Sequence, residues 1–572
     1  MTTTPQTVAE AYLAALKSRG IDWIFGNAGT DFAPIIEAMV AAGEDGIATP
    51  TPVEILHETV AVAMAHGYYL MTGRPQCAMV HVNVGTANAL MGIINACRSS
   101  VPILFASGRT PITEDGRLGS RNAPIHWGQE MFDQGGMLRE FVKWDNELRA
   151  GEQVVAMVDR ALAVCQAEPK GPVYLSLPRE VLAERLPETF VFNERSTQAV
   201  PAAPHPDPAA IGEAAEILAH AKHPVILTSD GGEALFDVLG DFAERFAIPV
   251  VQFWRMSPAI STRHPLYAGE VPRPLLAEAD AVLVLDSLVP WLPGQMTVPD
   301  DAKIIHIGPD PLFKGVPVRS FRADLSITST AATGISALAL RLGAFHGSAD
   351  AAVESRHAAL VPKLAARRTQ ELAMGDDPGE GGPMSPEFLS KVLSDVVGAD
   401  ATIVNELGLA TNMLELTGAK SFFGPATSGG LGWGGGAALG VKLADPDRLV
   451  VWATGDGSYV FSNPAACHHA AASLGLGILT VVADNRVWNA VRRSTIAVYP
   501  QGAAVRHERM PLTSLDPAPA YPKFVEAYGG HGESVSKPEH LRPALERAVE
   551  ITRSGRQALV AVHCSYPDFA NH

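Results

Sequence analysis

Residues 450–488 read VVWATGDGSYVFSNPAACHHAAASLGLGILTVVADNRVW, and this block constrains the fold more than any other. Two apolar runs of strand length each end in a sharp polar turn, Gly455-Asp456-Gly457-Ser458 and Ala483-Asp484-Asn485, with a helix-compatible stretch between them. Strands joined through a helix run parallel, because the crossover returns the chain to the same end of the sheet. A parallel sheet needs both faces covered, so the block commits this part of the chain to an α/β layer architecture. Both polar turns then lie at the carboxyl edge of the sheet, where such sheets bind ligands.

The same rhythm runs through the rest of the chain. From Val8 to about Arg185, AEAYLAALKSRG reads as an amphipathic helix ending at Gly20 and IDWIFGNAGT as a strand entering a glycine turn. QCAMVHV, VPILFAS and GPVYLSL read as further strands. A Pro/Ala-rich linker, PAAPHPDPAA at 201–210, precedes strands at HPVILTSDGG, FAIPVVQFW, ADAVLVLDS and AKIIHIGPD. A second linker, TQELAMGDDPGEGGPMSP at 369–386, precedes strands at ATIVNE, LVVWATGDG, GILTVVADN and QALVAVH. The expectation is three consecutive doubly wound α/β domains with mostly parallel sheets, at 1–185, 205–345 and 385–572. The middle one has no G-x-G-x-x-G after a strand, so its expected role is structural.

Composition removes several function classes. With 47% hydrophobic and 18% charged residues, the chain has the makings of several cores and not the profile of a disordered protein. A net charge of −17 gives no electrostatic reason to expect nucleic acid or an anionic membrane as partner. No apolar run approaches the ~20 residues of a membrane span. The start, MTTTPQTVAEAYLAALKSRG, lacks the basic segment and apolar core of a secretory signal. Five scattered cysteines without metal-type spacing fit reduced thiols. The expectation is a cytoplasmic protein that acts on a small molecule.

The chemistry begins with the two polar turns. Magnesium takes oxygen ligands, one or two from protein and the rest from phosphate and water. Asp456 and Asn485 supply two such oxygens from neighbouring strand ends, the glycines admit a diphosphate close to the backbone, and the following helix start presents free amides to it. The block resembles the thiamine-diphosphate signature of the acetolactate synthase and benzoylformate decarboxylase type of enzyme: GDG, some 25–30 residues, then Asn. The resemblance implies thiamine diphosphate and Mg2+ as cofactors. Asp456, Asn485 and the carbonyl of Val487 become the metal ligands, and Gly455, Gly457, Ser458 and Asn485 the residues around the diphosphate. The usual paired asparagines are Asp484-Asn485 here, a mild departure.

Two further stretches carry the resemblance. PVEILHETVAVAMAHGYYLMTGRP matches the family's HE-(x)n-A-x-GY-x-x-x-TG pattern, in which the glutamate, Glu58 here, contacts the pyrimidine ring of the cofactor. On residue type alone Glu58 would be a helix-start glutamate favoured by the dipole. FFGPATSGGLGWGGGAALGVKLA resembles the G-G-L-G-F-x-x-x-A-A-x-G stretch, which places Leu431 as the wedge under the folded cofactor and the carbonyl of Gly429 as acceptor for its amino group. By the resemblance the first domain binds the pyrimidine and the last the diphosphate. The glutamate comes from one subunit and the metal site from another, so a homodimer or homotetramer is implied.

Substrate selection is read from the loops. IFGNAGTDF resembles G-N-P-G-S of benzoylformate decarboxylase, placing Thr30 at an active-site serine with Asn27 beside it. VHVNVGTANALMG resembles its H-x-x-x-G-T-G-N-A-M-G, placing His81 at an active-site histidine. His126, Gln129 and Gln134 in PIHWGQEMFDQ, with Trp433, Trp488, Ala490 and Val491, are candidates for contact with substrate, while His468 and His469 read as surface or packing residues. DSLVPWLPGQ offers no second histidine, which argues against a simple benzoylformate decarboxylase. HVNVG in place of S-G-P-G, and NAVRRSTIAVYP without a downstream tryptophan, argue against acetolactate synthase itself. The expected activity is cleavage or formation of a C–C bond on a 2-oxo acid or acyloin. A 2-hydroxyacyl-CoA lyase is the alternative, disfavoured because HCSYPDFANH leaves little tail to cover a CoA ester. A non-catalytic homologue is disfavoured because Glu58 and the metal ligands are all present.

Overall fold

Three parallel sheets follow one another in the computed structural model, which describes residues 4–379 and 381–566. Residues 1–3 of the N-terminal stretch, Glu380 of the second linker and residues 567–572 of the final one lie outside it. In spatial order the first sheet holds Thr51–Glu54, Trp23–Asn27, Cys77–Val80, Leu104–Arg109, Val173–Pro178 and Asp145–Glu147. The second holds Leu325–Thr328, Lys303–Gly308, Ala281–Leu285, Pro224–Thr228 and Val250–Gln252. The third holds Phe422–Phe423, Thr402–Glu406, Val450–Gly455, Leu479–Asp484, Ala558–His563 and His531–Val535. Every pairing within them is parallel, as the helical crossovers require.

All twelve strands read from the sequence are present, most of them central. Their residues are buried on both faces, which is why they appear as continuous apolar runs and not as alternation. The five strands not read, at 51–54, 145–147, 325–328, 422–423 and 531–535, are all sheet edges. Most are half-exposed and short, so they carry no apolar signal. One linker reading needs correction. Residues 369–374 belong to a long helix, His346–Met374, and irregular chain begins only after it. TQELAM is helix-forming in composition, and the Gly and Pro that suggested a linker, with all of its acid but Glu371, follow Met374.

The packing that positions the site is between two glycine-rich helices. Glu58–Thr72 of the first domain lies directly on Trp433–Ala444 of the third. A Cβ on Gly67 would fall 2.0 Å from the carbonyl oxygen of Ala437, one on Gly436 would fall 2.6 Å from Cβ of Ala63, and one on Gly440 would fall 2.1 Å from the carbonyl oxygen of Met64. The run of small residues in both stretches is thus a demand for close approach of two backbones. The contact closes one continuous apolar core across the two domains. The middle domain keeps a core of its own.

Candidate active site

The two turns read as metal-binding form where two neighbouring strands of the third sheet end. Val450–Gly455 stops at Gly455, and Asp456 opens a short helix, Asp456–Phe461. The Asp456 carboxylate accepts from the amides of Gly457 (2.8 Å), Asn485 (3.1 Å) and Arg486 (2.6 Å), so it ties the two turns together. Oδ1 of Asn485 accepts from the Val487 amide at 3.0 Å, and the Val487 carbonyl accepts from Asn489 at 2.7 Å. Burial pushes Asp456 up to about 6, against those amides and with the neighbouring Asp484 adding to the rise. Oδ1 of Asp484 is buried without a hydrogen-bond partner, and the nearest guanidinium, on Arg486, stands 3.8 Å from the other oxygen. Asp484 is thus a poorly compensated buried carboxylate beside the amide-bound Asp456, and a cation between them would relieve the burial of both. No cluster of three or more His, Cys, Asp and Glu side chains suited to a metal occurs among the described residues. Magnesium does not need one: a carboxylate, an amide oxygen and a backbone carbonyl, completed by phosphate and water, satisfy it.

The turn is packed closely against an indole. Gly457 carries no Cβ because the indole of Trp488 lies against it, with Cζ3 2.3 Å from where that atom would be. Ser458 is buried beside it.

Leu431 sits half-buried in the loop before the Trp433 helix, two residues after Gly429, which has φ +65°. That loop is held from two sides. Glu406, at the end of strand Thr402–Glu406, accepts from the amides of Gly432 (2.6 Å) and Gly434 (2.7 Å). Asn95 donates to the Gly430 carbonyl at 2.9 Å. Glu406 was not singled out in the sequence; its signal is a carboxylate at a strand's carboxyl end, placed to meet a helix N-terminus. Burial raises it to about 7, the three backbone amides pulling the other way.

Glu58 is the first residue of its helix and is buried; Asn88 donates to its Oε2 at 3.2 Å. The packing of its helix on the Trp433 helix brings Glu58 to the side of the third domain that bears Leu431. This helix-on-helix contact lies within one chain, whereas the resemblance assigns the glutamate and the metal residues of one site to two subunits.

Thr30, His81, His126 and Gln129 come together at the carboxyl edge of the first sheet. Nε2 of His126 is 3.3 Å from Oγ1 of Thr30, and the amide nitrogen of Gln129 is 3.1 Å from Nε2 of His81. Asp31, absent from the sequence candidates, is hydrogen-bonded to Nδ1 of His81. The loop bearing His126 and Gln129 is clamped by Arg179, which donates to the carbonyls of Gly119 (2.7 Å), Ser120 (2.6 Å) and Thr30 (3.3 Å). Burial, and then the guanidiniums of Arg179 and Arg121, lower the pKa of His126.

Other candidates lie elsewhere. Gln134 is buried in an internal network with Ser107, Tyr174 and the Gly108 carbonyl. Trp433 is buried against His66, ring centroids 5.3 Å apart. His468 is a packing residue between Tyr459 and Gln557, at 2.8 Å from each.

Comparison with known proteins meets this geometry. Residues 6–137 match the N-terminal TPP binding domain of thiamine pyrophosphate enzymes, 211–338 the central domain and 406–562 the C-terminal TPP binding domain. The chain belongs to the thiamine pyrophosphate enzymes. A sulfoacetaldehyde acetyltransferase from Rhodobacter capsulatus is 27% identical, over 97% of this chain and 93% of that one. A benzoylformate decarboxylase from Pseudomonas aeruginosa is 28% identical, over 85% and 87%. A solved Rhodococcus jostii thiamine diphosphate-dependent 4-hydroxybenzoylformate decarboxylase superposes with a TM-score of 0.79, covering 98% of this chain and 99% of that one; at 22% identity this shows the fold.

Proposed function

We propose that this chain uses thiamine diphosphate and magnesium to cleave or form a C–C bond beside the carbonyl of a 2-oxo acid or a related aldehyde or acyloin. The observation that supports the reading is the close packing of the helix that opens with Glu58 on the helix that the Leu431 loop leads into. When bound, thiamine diphosphate supplies a nucleophilic carbon and an electron sink. Asp456, Asn485 and the Val487 carbonyl would hold magnesium, which would neutralise the diphosphate. Glu406 holds the Leu431 loop in shape through its amides. Glu58, its carboxylate oriented by Asn88, would face the pyrimidine ring as a proton donor and acceptor. Thr30, His81, His126 and Gln129 form a polar wall suited to the oxygen of a substrate carbonyl or hydroxyl.

A homodimer or homotetramer belongs to this proposal, on the strength of the resemblance. Two chains that exchange first domains keep the same helix-on-helix contact that one chain shows. The five cysteines are free, and a cytoplasmic setting is part of this proposal. No described helix is long and apolar enough to cross a membrane.

The test is thiamine diphosphate titration by calorimetry with and without magnesium, for the parent and Asp456→Asn. Tight binding that needs magnesium in the parent and is weakened tenfold or more in the variant, roughly 1.4 kcal/mol or above, supports the assignment. Equal binding in both removes Asp456 from the metal site.

A further inference from the structure

Asp31 is one residue beyond the proposed site residue Thr30, and nothing in the motif reading gave it a task. It is buried, and its two carboxylate oxygens have separate partners: one is bonded to Nδ1 of His81, and the other accepts from the Val82 amide at 3.3 Å. Val82 has φ +30°, a conformation that a β-branched residue rarely adopts, and it turns that amide toward Asp31. Two glycines make the room. A Cβ on Gly29 would lie 2.1 Å from Nδ1 of His81, and one on Gly108 would lie 1.6 Å from an Asp31 oxygen. Neither glycine has a positive φ, so the backbone does not require them; the carboxylate–imidazole pair does. The carboxyl ends of three strands, Trp23–Asn27, Cys77–Val80 and Leu104–Arg109, are shaped around one hydrogen bond.

We infer that Asp31 is a positioning residue that fixes the proton of His81 on Nδ1, so that Nε2 is the atom that exchanges a proton with the substrate oxygen. This rests on the proposed function. Nε2 already accepts from the Gln129 amide nitrogen at 3.1 Å, as the Nδ1-protonated ring requires. The other amide atom of Gln129, Oε1, is buried without a partner. Rotation of that amide by a half-turn lets Oε1 accept from Nε2–H once the ring is cationic, so Gln129 serves both protonation states. One proton moves between Nε2 and the substrate oxygen, which takes the place of the Gln129 amide on that nitrogen during the transfer; Nδ1 keeps its own proton, and the Asp31 carboxylate is the counter-charge to the imidazolium. His126 feels Asp31 only at a distance and has guanidiniums about it; its own partners are the Thr30 hydroxyl and the Asn122 amide, so no carboxylate is bonded to its ring.

Asp31→Asn tests the inference with an unchanged side-chain shape. The Val82 amide claims the one remaining oxygen, which turns the NH2 group toward Nδ1 of His81 and reverses the tautomer. The ring is read by nitrogen NMR on histidine-labelled apoprotein, its signal assigned by its loss in His81→Ala. The parent is expected to be protonated at Nδ1 and the variant at Nε2. A kcat about a hundredfold lower is expected in Asp31→Asn with KM little changed, and no further loss beyond about twofold when the change is added to His81→Ala. A parent ring protonated at Nε2, an unchanged ring in the variant, or additive losses in the double variant would each overturn the inference. A parent that turns over no oxo acid or aldehyde would fail the proposed function instead, and the ring measurement would still decide the pair.

Discussion

Glu58 and Glu406 are both buried carboxylates at the junction of the two domains, and their partners separate their tasks. Glu58 has a single side-chain donor, Asn88, whereas both oxygens of Glu406 are held by backbone amides of the loop and helix start. Glu58→Gln should lower kcat by roughly 10²–10⁴-fold while thiamine diphosphate still binds, as steady-state rates and calorimetry would show together. Glu406 governs stability. Its pKa rises from 4.5 to about 7 on folding, so the folded form holds a proton that the unfolded chain has released. The stability tied to that proton is full below 4.5 and is lost as pH rises through about 7, a loss on the order of 3 kcal/mol. The melting temperature of Glu406→Gln, compared with the parent, should therefore gain ground from about pH 5 to about pH 8. A flat difference would refute the assignment. Glu58, Asp456 and Asn485 were legible because each sits in a motif with a fixed spacing. Asp31 was not, since an acid in a turn after a strand has many ordinary uses and its partner His81 is fifty positions away.

The elements that matter most are the two helices that cross at glycine. The sequence shows both as runs of small residues, but not that they meet, because packing partners distant along the chain leave no mark in either stretch alone. Gly67→Ala puts a methyl group into the Ala437 carbonyl, and a backbone atom, unlike a flexible side chain, cannot step aside. The expected loss is about 1–3 kcal/mol, with weaker cofactor binding because the Glu58 helix is pushed away from the wedge loop. Gly43→Ala, on a helix surface with nothing within 4 Å of the new atom, is the control and should be neutral or slightly stabilising. Equal melting temperatures for the two variants would show that the close crossing is not a feature of the folded protein. The edge strands were illegible for the opposite reason: they are held by neighbours and not by their own apolar residues.

At the scale of the whole molecule, the doubly wound architecture was readable since each central strand announces itself, and the carboxyl edges of the first and third sheets are where the candidate residues gather. How the halves combine between chains is a matter for mixing experiments. Glu58→Gln and Asp456→Asn variants, each inactive, are unfolded and refolded together; exchange of domains predicts recovered turnover, and sites closed within each chain predict none. The central claim is tested most directly by mass spectrometry of products from pyruvate, benzoylformate and sulfoacetaldehyde, with thiamine diphosphate and magnesium, in the parent and in Glu58→Gln. The account predicts carbon dioxide with a matching aldehyde or hydroxyketone, or a transferred acyl group, from at least one of them, dependent on both cofactors and lost in the variant. Turnover that persists without thiamine diphosphate, or that Glu58→Gln leaves unchanged, would contradict it.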